Sequence, residues 1–349
     1  MNQYLSDKIK ILSAIAILFV LYIHSGFHAD EIEGMKLNHY VQAMISGMLG
    51  RCAVPLFYMI SGYLFFRNTN SIYSVIKKIK KRVRTLLIPY VISCVFFVVF
   101  YVIVEIIPDT SKFMNNTMML LFEKDWKTIT VSVFYNSGDG SPLAFHLWFL
   151  RDLIILVLLS PVWFLLFKYL KWSWIVAVFL LNYFSVSNFP VYALFWFGFG
   201  GAFANGNISA KCNHGKVISF VLLISFLIIS FLQLFYANGI WEYIQIPVIM
   251  LGVIALWGVY NYIIPSTFTL QRHTWLSKIC GFTFFIYLFH EPTLNIVRKL
   301  IAFIIGKTET GYLISYLVSP WIFMIVAVIV GIILKKYVSK LYNIATGGR

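Results

Sequence analysis

Long apolar runs, separated by short polar segments, fill most of this 349-residue chain. Most runs approach or exceed the roughly 20 residues that an α-helix needs to cross a bilayer. The pattern predicts an all-α fold: a polytopic membrane helix bundle of about ten transmembrane helices, with residues 1–349 forming a single membrane domain. The predicted spans are 10–27, 40–66, 85–107, 145–167, 172–186, 190–205, 216–236, 241–264, 279–296 and 312–334.

The distribution of charge supports this prediction and orients the bundle. Only 12% of the residues are charged, about half the share in a soluble domain. With the N-terminus in the cytoplasm, about 19 lysines and arginines fall on cytoplasmic segments and about 7, Arg298 among them, on outer segments. Positive charge marks the cytoplasmic side, so both termini are predicted there, in a multi-pass protein of the cell (cytoplasmic or inner) membrane. Loop bias and anionic lipid account for the net charge of +15, and no nucleic-acid partner is expected.

The cysteines and the first apolar run bear on disulfides, metal sites and signal peptides. Cys52, Cys94, Cys212 and Cys280 are scattered and form no C-x-x-C spacing, which argues against disulfides and a metal site. No cleavage motif of small residues follows the first run, so it is predicted to be a retained helix rather than a signal peptide.

The segment from Arg51 to Tyr63 is too polar for a helix that only anchors the chain. A charge near mid-membrane costs at least ~2.5–3.5 kcal/mol. Pro55 cannot donate to the carbonyl of Arg51, and Ser61 with Gly62 permits close approach of another backbone or a ligand. Two explanations remain: a kinked helix with a buried, paired arginine, or a functional site.

Histidines recur in three other predicted spans. The helix rises about 21 Å from Lys10 to His24, which places His24 beyond the membrane midplane. His146 opens the string His-Leu-Trp-Phe-Leu, and His290 closes the string Tyr-Leu-Phe-His. An ionisable group in lipid is a functional candidate, although a histidine paired in the bundle or lying at the interface would look the same.

A basic run, residues 77–84, precedes the third span. It could serve as an orientation signal that binds anionic headgroups. It could also bind phosphate groups, because arginine holds phosphate through paired donors.

These strings together resemble the acyltransferase-3 family of integral membrane O-acyltransferases, of the type that O-acetylates surface polysaccharides. The resemblance rests on Arg51–Tyr63, 146–150 and 287–290, and Lys81 with Arg84 fits the basic pair that opens the third span in the family. His24 matches the first-helix histidine, but Ser13 stands eleven positions earlier, where the family has a basic residue.

The resemblance implies transfer of an acyl group, acetyl being expected, from cytoplasmic acyl-CoA to a hydroxyl of an extracytoplasmic cell-surface glycan. His24 would act as general base, or form a short-lived acyl-histidine, and Arg51 would stabilise developing charge or hold a phosphate. The residues expected to bind coenzyme A are Lys81, Arg82, Arg84, Ser61 and Tyr63. Those expected to bind the acceptor are His146, Trp148, Arg151, Asp152, His290 and Glu291.

The expected partners follow from this reaction. They are acyl-CoA, a cell-surface polysaccharide or lipid-linked glycan, and membrane lipid, with self-association left open and no permanently bound cofactor. The outer segment 108–144, with a flexible patch at 136–142, is predicted to be a lid or acceptor-binding loop. The alternative function is a transporter or flippase for a glycan or lipid-linked sugar, which would also use midplane charges and broken helices.

Overall fold

A computed structural model describes residues 2–28, 31–107, 121–171, 173–184, 191–205, 215–236 and 240–348. These residues form helices joined by turns, with no strand among them, which confirms the all-α prediction. They divide into two compact units. The first unit consists of Met1–Asn70 and Trp163–Ile333, and the second of Ser71–Val162 and Leu334–Arg349.

Several helices are long and apolar enough to cross a membrane, which confirms a membrane protein. By length and composition, five segments of the described chain qualify, and a sixth qualifies if a pair bent by 57° is counted as one span. The five are Lys36–Phe66, Ile72–Ile106, Lys216–Phe235, Ile244–Ile263 and Glu309–Tyr337, and the bent pair is Phe145–Leu158 with Ser160–Tyr169. The full set of ten spans and the orientation stay predictions.

The first unit contains most of the helices. Its members are α1 (Gln3–His24), α2 (Lys36–Gln42), α3 (Ala53–Phe66), α9 (Ser173–Phe184), α10 (Val191–Asn205), α11 (Lys216–Phe235), α12 (Ile240–Ile263), α13 (Thr274–Phe289) and α14 (Thr293–Ile305). The second unit contains α4 (Ile72–Arg82), α5 (Ile88–Ile106), α6 (Trp126–Phe134), α7 (Trp148–Leu158) and α16 (Ser339–Ala345). Helices α8 (Ser160–Tyr169) and α15 (Glu309–Tyr337) belong partly to each.

The predicted span 40–66 changes its winding in the middle. Helix α2 passes into a π-helical segment, Ala43–Met48, and a 3-10 turn, Leu49–Cys52, before α3 begins. Pro55 explains the tight turn, because its ring excludes the carbonyl of Arg51 from the regular helical hydrogen bond. Such rewound segments inside helices often mark functional sites.

The charged residues at the start of α1 are buried and bonded within the first unit. Lys8 is only 3% exposed, and its Nζ donates to the carbonyl of Trp257 at 2.6 Å and to Asn261 Oδ1 at 2.8 Å. Asp7 is equally buried and accepts from the amide of Leu270 at 3.0 Å. These charges therefore attach α1 to α12 and to the turn before α13 instead of facing solvent.

Helices α3 and α10 cross with their backbones in contact. A Cβ atom built on Gly62 would lie 2.0 Å from the carbonyl oxygen of Phe197, and one on Gly200 would lie 2.0 Å from that of Met59. The close approach of another backbone at Gly62, which the sequence predicted, is thus confirmed, and Gly200 serves the same contact.

We expect Gly200→Ala to lower the thermal unfolding midpoint of the detergent-solubilised protein clearly. The added methyl must push two backbones apart, and overpacking of this kind typically costs ~1–3 kcal/mol or more. Gly281→Ala is the matched control, because a Cβ there meets nothing within 4 Å. Equal midpoints for the two variants would contradict the close crossing.

The second unit begins with the basic run. Ser71 caps α4, accepting from the amide of Ser74, and the helix passes through a π-helical segment, Val83–Leu87, into α5. Pro89 lies at the start of α5 and cannot donate to the carbonyl of Thr85, which accounts for the rewinding. The basic residues therefore lie on one continuous helical segment with the third predicted span.

Candidate active site

Two histidines of the first unit lie side by side. His24 is the last residue of α1, and His290 directly follows the end of α13. Their ring centroids are 4.9 Å apart, with an angle of 55° between the planes. His24 is partly exposed, whereas His290 is fully buried. Residues separated by 266 positions in the sequence thus form one imidazole pair.

The backbone fixes which nitrogen of His290 carries the proton. Its Nδ1 lies 2.7 Å from the carbonyl oxygen of Tyr287. A carbonyl only accepts, so Nδ1 is the protonated nitrogen of the neutral ring, and Nε2 carries the lone pair. A histidine held in this way presents a basic nitrogen in a fixed direction.

The chain between α13 and α14 divides the predicted span 279–296. Helix α13 ends at Phe289 and α14 begins at Thr293, with a cis peptide between Glu291 and Pro292. Glu291 is 5% exposed and makes no hydrogen bond with any residue that the structure describes. A buried carboxyl group, which interacts with Arg298, therefore directly follows His290 in the chain.

Arg51 reaches the same neighbourhood through its 3-10 turn. A Cβ atom on the preceding Gly50 would lie 3.0 Å from Cγ1 of Ile23, so the turn packs against the last turn of α1. The Arg51 side chain is accessible, has the Tyr192 hydroxyl in its electrostatic neighbourhood, and forms no hydrogen bond or ion pair within the described chain. The paired, buried arginine of the purely structural explanation is not what the structure contains.

Ser61 and Tyr63 lie farther along α3. Ten residues separate Arg51 from Ser61, a helical rise of about 15 Å. Tyr63 is buried, and Ser61 is half-buried next to the glycine that contacts α10. Their predicted role in binding coenzyme A stays a prediction.

The remaining predicted site residues belong to the second unit. Lys81 and Arg84 are exposed and Arg82 is half-buried; Arg84 lies in the π-helical segment. None of the three forms a hydrogen bond or ion pair with a residue described in the structure. Their charges are therefore available to an anionic ligand.

His146 and Trp148 begin the fourth predicted span. His146 is 2% exposed, lies in the 3-10 turn Phe145–Leu147, and meets the ring of Phe97 edge to face at 4.9 Å. Trp148 opens α7 and is half-buried. His146 is thus enclosed by aromatic rings within its own unit.

Arg151 and Asp152 form a buried ion pair. Arg151 Nε lies 2.7 Å from Asp152 Oδ1, and Arg151 Nη1 donates to the carbonyls of Tyr135 and Gly140, the latter at 2.8 Å. The pair therefore holds the segment 135–141 onto α7. Their predicted contact with the acceptor remains a prediction, but these donors are already engaged by the protein.

The predicted flexible patch, residues 136–142, forms a hydrogen-bonded turn in the structure, and its flexibility stays a prediction. Asn136 Oδ1 accepts from the amides of Gly138 and Gly140 at 2.8 and 2.9 Å, and Asp139 Oδ1 accepts from the amide of Ser141 at 2.9 Å. Side chains that bond to their own backbone order this turn. The preceding residues 108–120 of the predicted lid lie outside the described residues.

Comparison with known proteins now identifies the family. The family model described as "Acyltransferase domain" matches residues 7–336, which include every candidate residue named above. The chain belongs to this acyltransferase family. It is 24% identical to the succinoglycan biosynthesis protein ExoH of Rhizobium meliloti (strain 1021), over 100% of this chain and 94% of that protein. No solved structure matches the chain.

Membership of the acyltransferase family confirms the resemblance predicted from the three strings. All three lie in the matched region, and so does the imidazole pair.

Sequence reasoning missed Arg298, which it assigned to an outer polar segment. The structure places it in α14 with 2% exposure. A usable signal existed: Arg298 lies four residues from both Leu294 and Ala302, and all three are buried on one helical stripe.

We expect Arg151→Gln to destabilise the protein strongly. It leaves Asp152 buried without its counter-charge, and breaking such a pair costs about 3–5 kcal/mol. The thermal midpoint should fall, and limited proteolysis should begin at residues 135–141. Lys127→Gln, which removes the same charge from an exposed position on α6, should leave both measurements unchanged. Protection of 135–141 in the Arg151 variant would disprove the attachment.

Proposed function

We propose that this acyltransferase moves an acyl group, acetyl first among candidates, from cytoplasmic acyl-CoA to a hydroxyl of a cell-surface glycan. The observation that carries the proposal is the contact between His24 and His290 in a chain of this family. The glycan acceptor is supported by the similarity to a succinoglycan biosynthesis protein. The membrane-capable helices support action in the cell membrane.

In the proposed reaction, His24 takes the proton of the acceptor hydroxyl as the oxygen attacks the thioester carbonyl. The new C–O ester bond forms, the C–S bond breaks, and the coenzyme A thiolate leaves, to be protonated from the imidazolium or water. His24 is the better candidate for this proton transfer because it is partly exposed, whereas His290 is buried and held by the backbone.

The groups around the pair have complementary charge for this step. The Arg51 guanidinium, which has no carboxylate partner in the described chain, could stabilise negative charge on the thioester oxygen. The Glu291 carboxylate could accept a hydrogen bond from another hydroxyl of the sugar. The base, the cation and the carboxylate thus come from α1, the 3-10 turn before α3, and the break before α14.

Nucleotide binding is assigned to the second unit. Lys81, Arg82 and Arg84 present charges that the described protein does not neutralise, and phosphate groups of coenzyme A would match them. His146 and Trp148 remain the acceptor-binding candidates of that unit.

We expect His24→Ala to reduce acetyl transfer by about 10²–10⁴-fold, the usual contribution of positioned proton transfer. The assay is release of free coenzyme A thiol by purified protein in lipid nanodiscs, together with the mass of the glycan product. His39→Ala is the control, since His39 is exposed in the same unit. Undiminished turnover without His24 would reject this residue as the base, and absence of acetylated glycan with wild-type protein would reject the function.

We expect the double variant Lys81→Gln, Arg84→Gln to raise the KM for acetyl-CoA by about tenfold or more, because two charge-assisted contacts of about 1 kcal/mol each would be lost. Acetyl-pantetheine lacks the nucleotide phosphates, so its KM should not change. Lys77→Gln, an exposed charge on the same helix, serves as control. Equal losses with both donors would exclude phosphate recognition by this pair.

A further inference from the structure

Arg298 lies on α14, away from every string that resembled the family. Its side chain is 3% exposed, although the helix around it has solvent-accessible or lipid-accessible positions, among them the adjacent Lys299. Burying a guanidinium is costly unless its donors are satisfied. The groups that satisfy Arg298 therefore indicate what it holds in place.

Those groups lie directly after His24. Arg298 Nη1 donates to the carbonyl of Gly26, two residues beyond His24. Nη2 donates to Asn295 Oδ1 at 2.8 Å and lies 3.8 Å from Glu31 Oε2. The guanidinium carbon also lies 4.3 Å from the centroid of the Phe27 ring. One side chain thus fixes the segment by which the chain leaves α1.

The backbone around Arg298 connects it to the other histidine. The amide of Leu294, one turn before Arg298, donates to the carbonyl of His290 at 2.7 Å. The carbonyl of Arg298 itself accepts from Ser315 Oγ of α15 at 2.6 Å. Helix α14 is therefore attached to His290 at its start, to α15 through its backbone, and to the His24 segment through Arg298.

We propose that Arg298 is a positioning residue for the His24–His290 pair, holding the segment after His24 onto the helix that follows His290. The kinetic part of this inference rests on the proposed function, since it treats the pair as the proton-transfer site. The charged and titratable groups facing Arg298 are Glu31 from the α1–α2 connection, Glu291 from the break before α14, and Tyr312 from α15. Arginine presents its donors in a rigid planar fork on two terminal nitrogens, whereas lysine has a single ammonium group.

The first test needs no enzymatic activity. Full-length wild-type protein, Arg298→Gln, Arg298→Lys and the control Lys299→Gln are labelled in nanodiscs with diethyl pyrocarbonate, and each histidine is followed by peptide mass spectrometry. In Arg298→Gln the labelling rates of His24 and His290 should rise about threefold or more, because the segment opens locally. His39 and His146 should keep their rates, and Lys299→Gln should match wild type.

Kinetics supply the second test. Arg298→Gln should lower kcat for acetyl transfer by about tenfold or more while the KM for acetyl-CoA stays unchanged, because misplacement of a reacting group affects the chemical step. Arg298→Lys should fall between the glutamine variant and wild type. It retains the charge but cannot contact Gly26, Asn295 and Glu31 together.

The outcomes separate the two proposals. Unchanged labelling of His24 in Arg298→Gln overturns the positioning role, whatever the activity. Increased labelling at all histidines, His146 included, also overturns it, because Arg298 would then stabilise the protein generally. If the glutamine variant does not fold, the lysine variant is measured instead. Labelling of His24 in that variant at the wild-type rate then overturns the positioning role. A wild-type protein without transferase activity rejects the proposed function but leaves the labelling result valid.

Discussion

Charge inside an apolar helix bundle must be neutralised, and this requirement organises both units. Lys8 is enclosed by a carbonyl, an amide oxygen and two aromatic rings. Arg151 pairs with Asp152 and takes two loop carbonyls. Removing a partner from such a group leaves an uncompensated charge in a medium that solvates it poorly. These interactions therefore dictate where helix ends and loops lie.

Two ionisable side chains differ from these in lacking hydrogen bonds to the described residues, although Glu291 faces Arg298. Arg51 and Glu291 form no hydrogen bond with the described residues, and each lies at an interruption of helical winding. Both interruptions have a proline near them, Pro55 and Pro292. A rewound or broken helix exposes carbonyl and amide groups that a regular helix would use internally. Both interruptions contact the end of α1, the first through Gly50 against Ile23 and the second through His290 against His24.

The sequence predicted the parts of this arrangement that depend on local order. The apolar runs, the strings at Arg51 and His290, and the close approach at Gly62 could be found because each is a short, contiguous signal. The burial of Arg298 could not be predicted from the distribution of charged residues along the sequence. The predicted span is divided at Pro292, and a new helix follows it. The contacts of Lys8 could not be predicted either, because its partners, Trp257 and Asn261, come from the distant α12.

The contact between His24 and His290 also limits how the pair can carry protons. Two imidazolium ions about 5 Å apart would repel by about 3 kcal/mol at an effective dielectric constant of 20. Charge on one ring therefore disfavours charge on the other. Since the backbone fixes Nδ1–H on His290, its Nε2 keeps a lone pair in the neutral ring. At least one basic nitrogen thus stays available, which a proton-accepting site needs between turnovers.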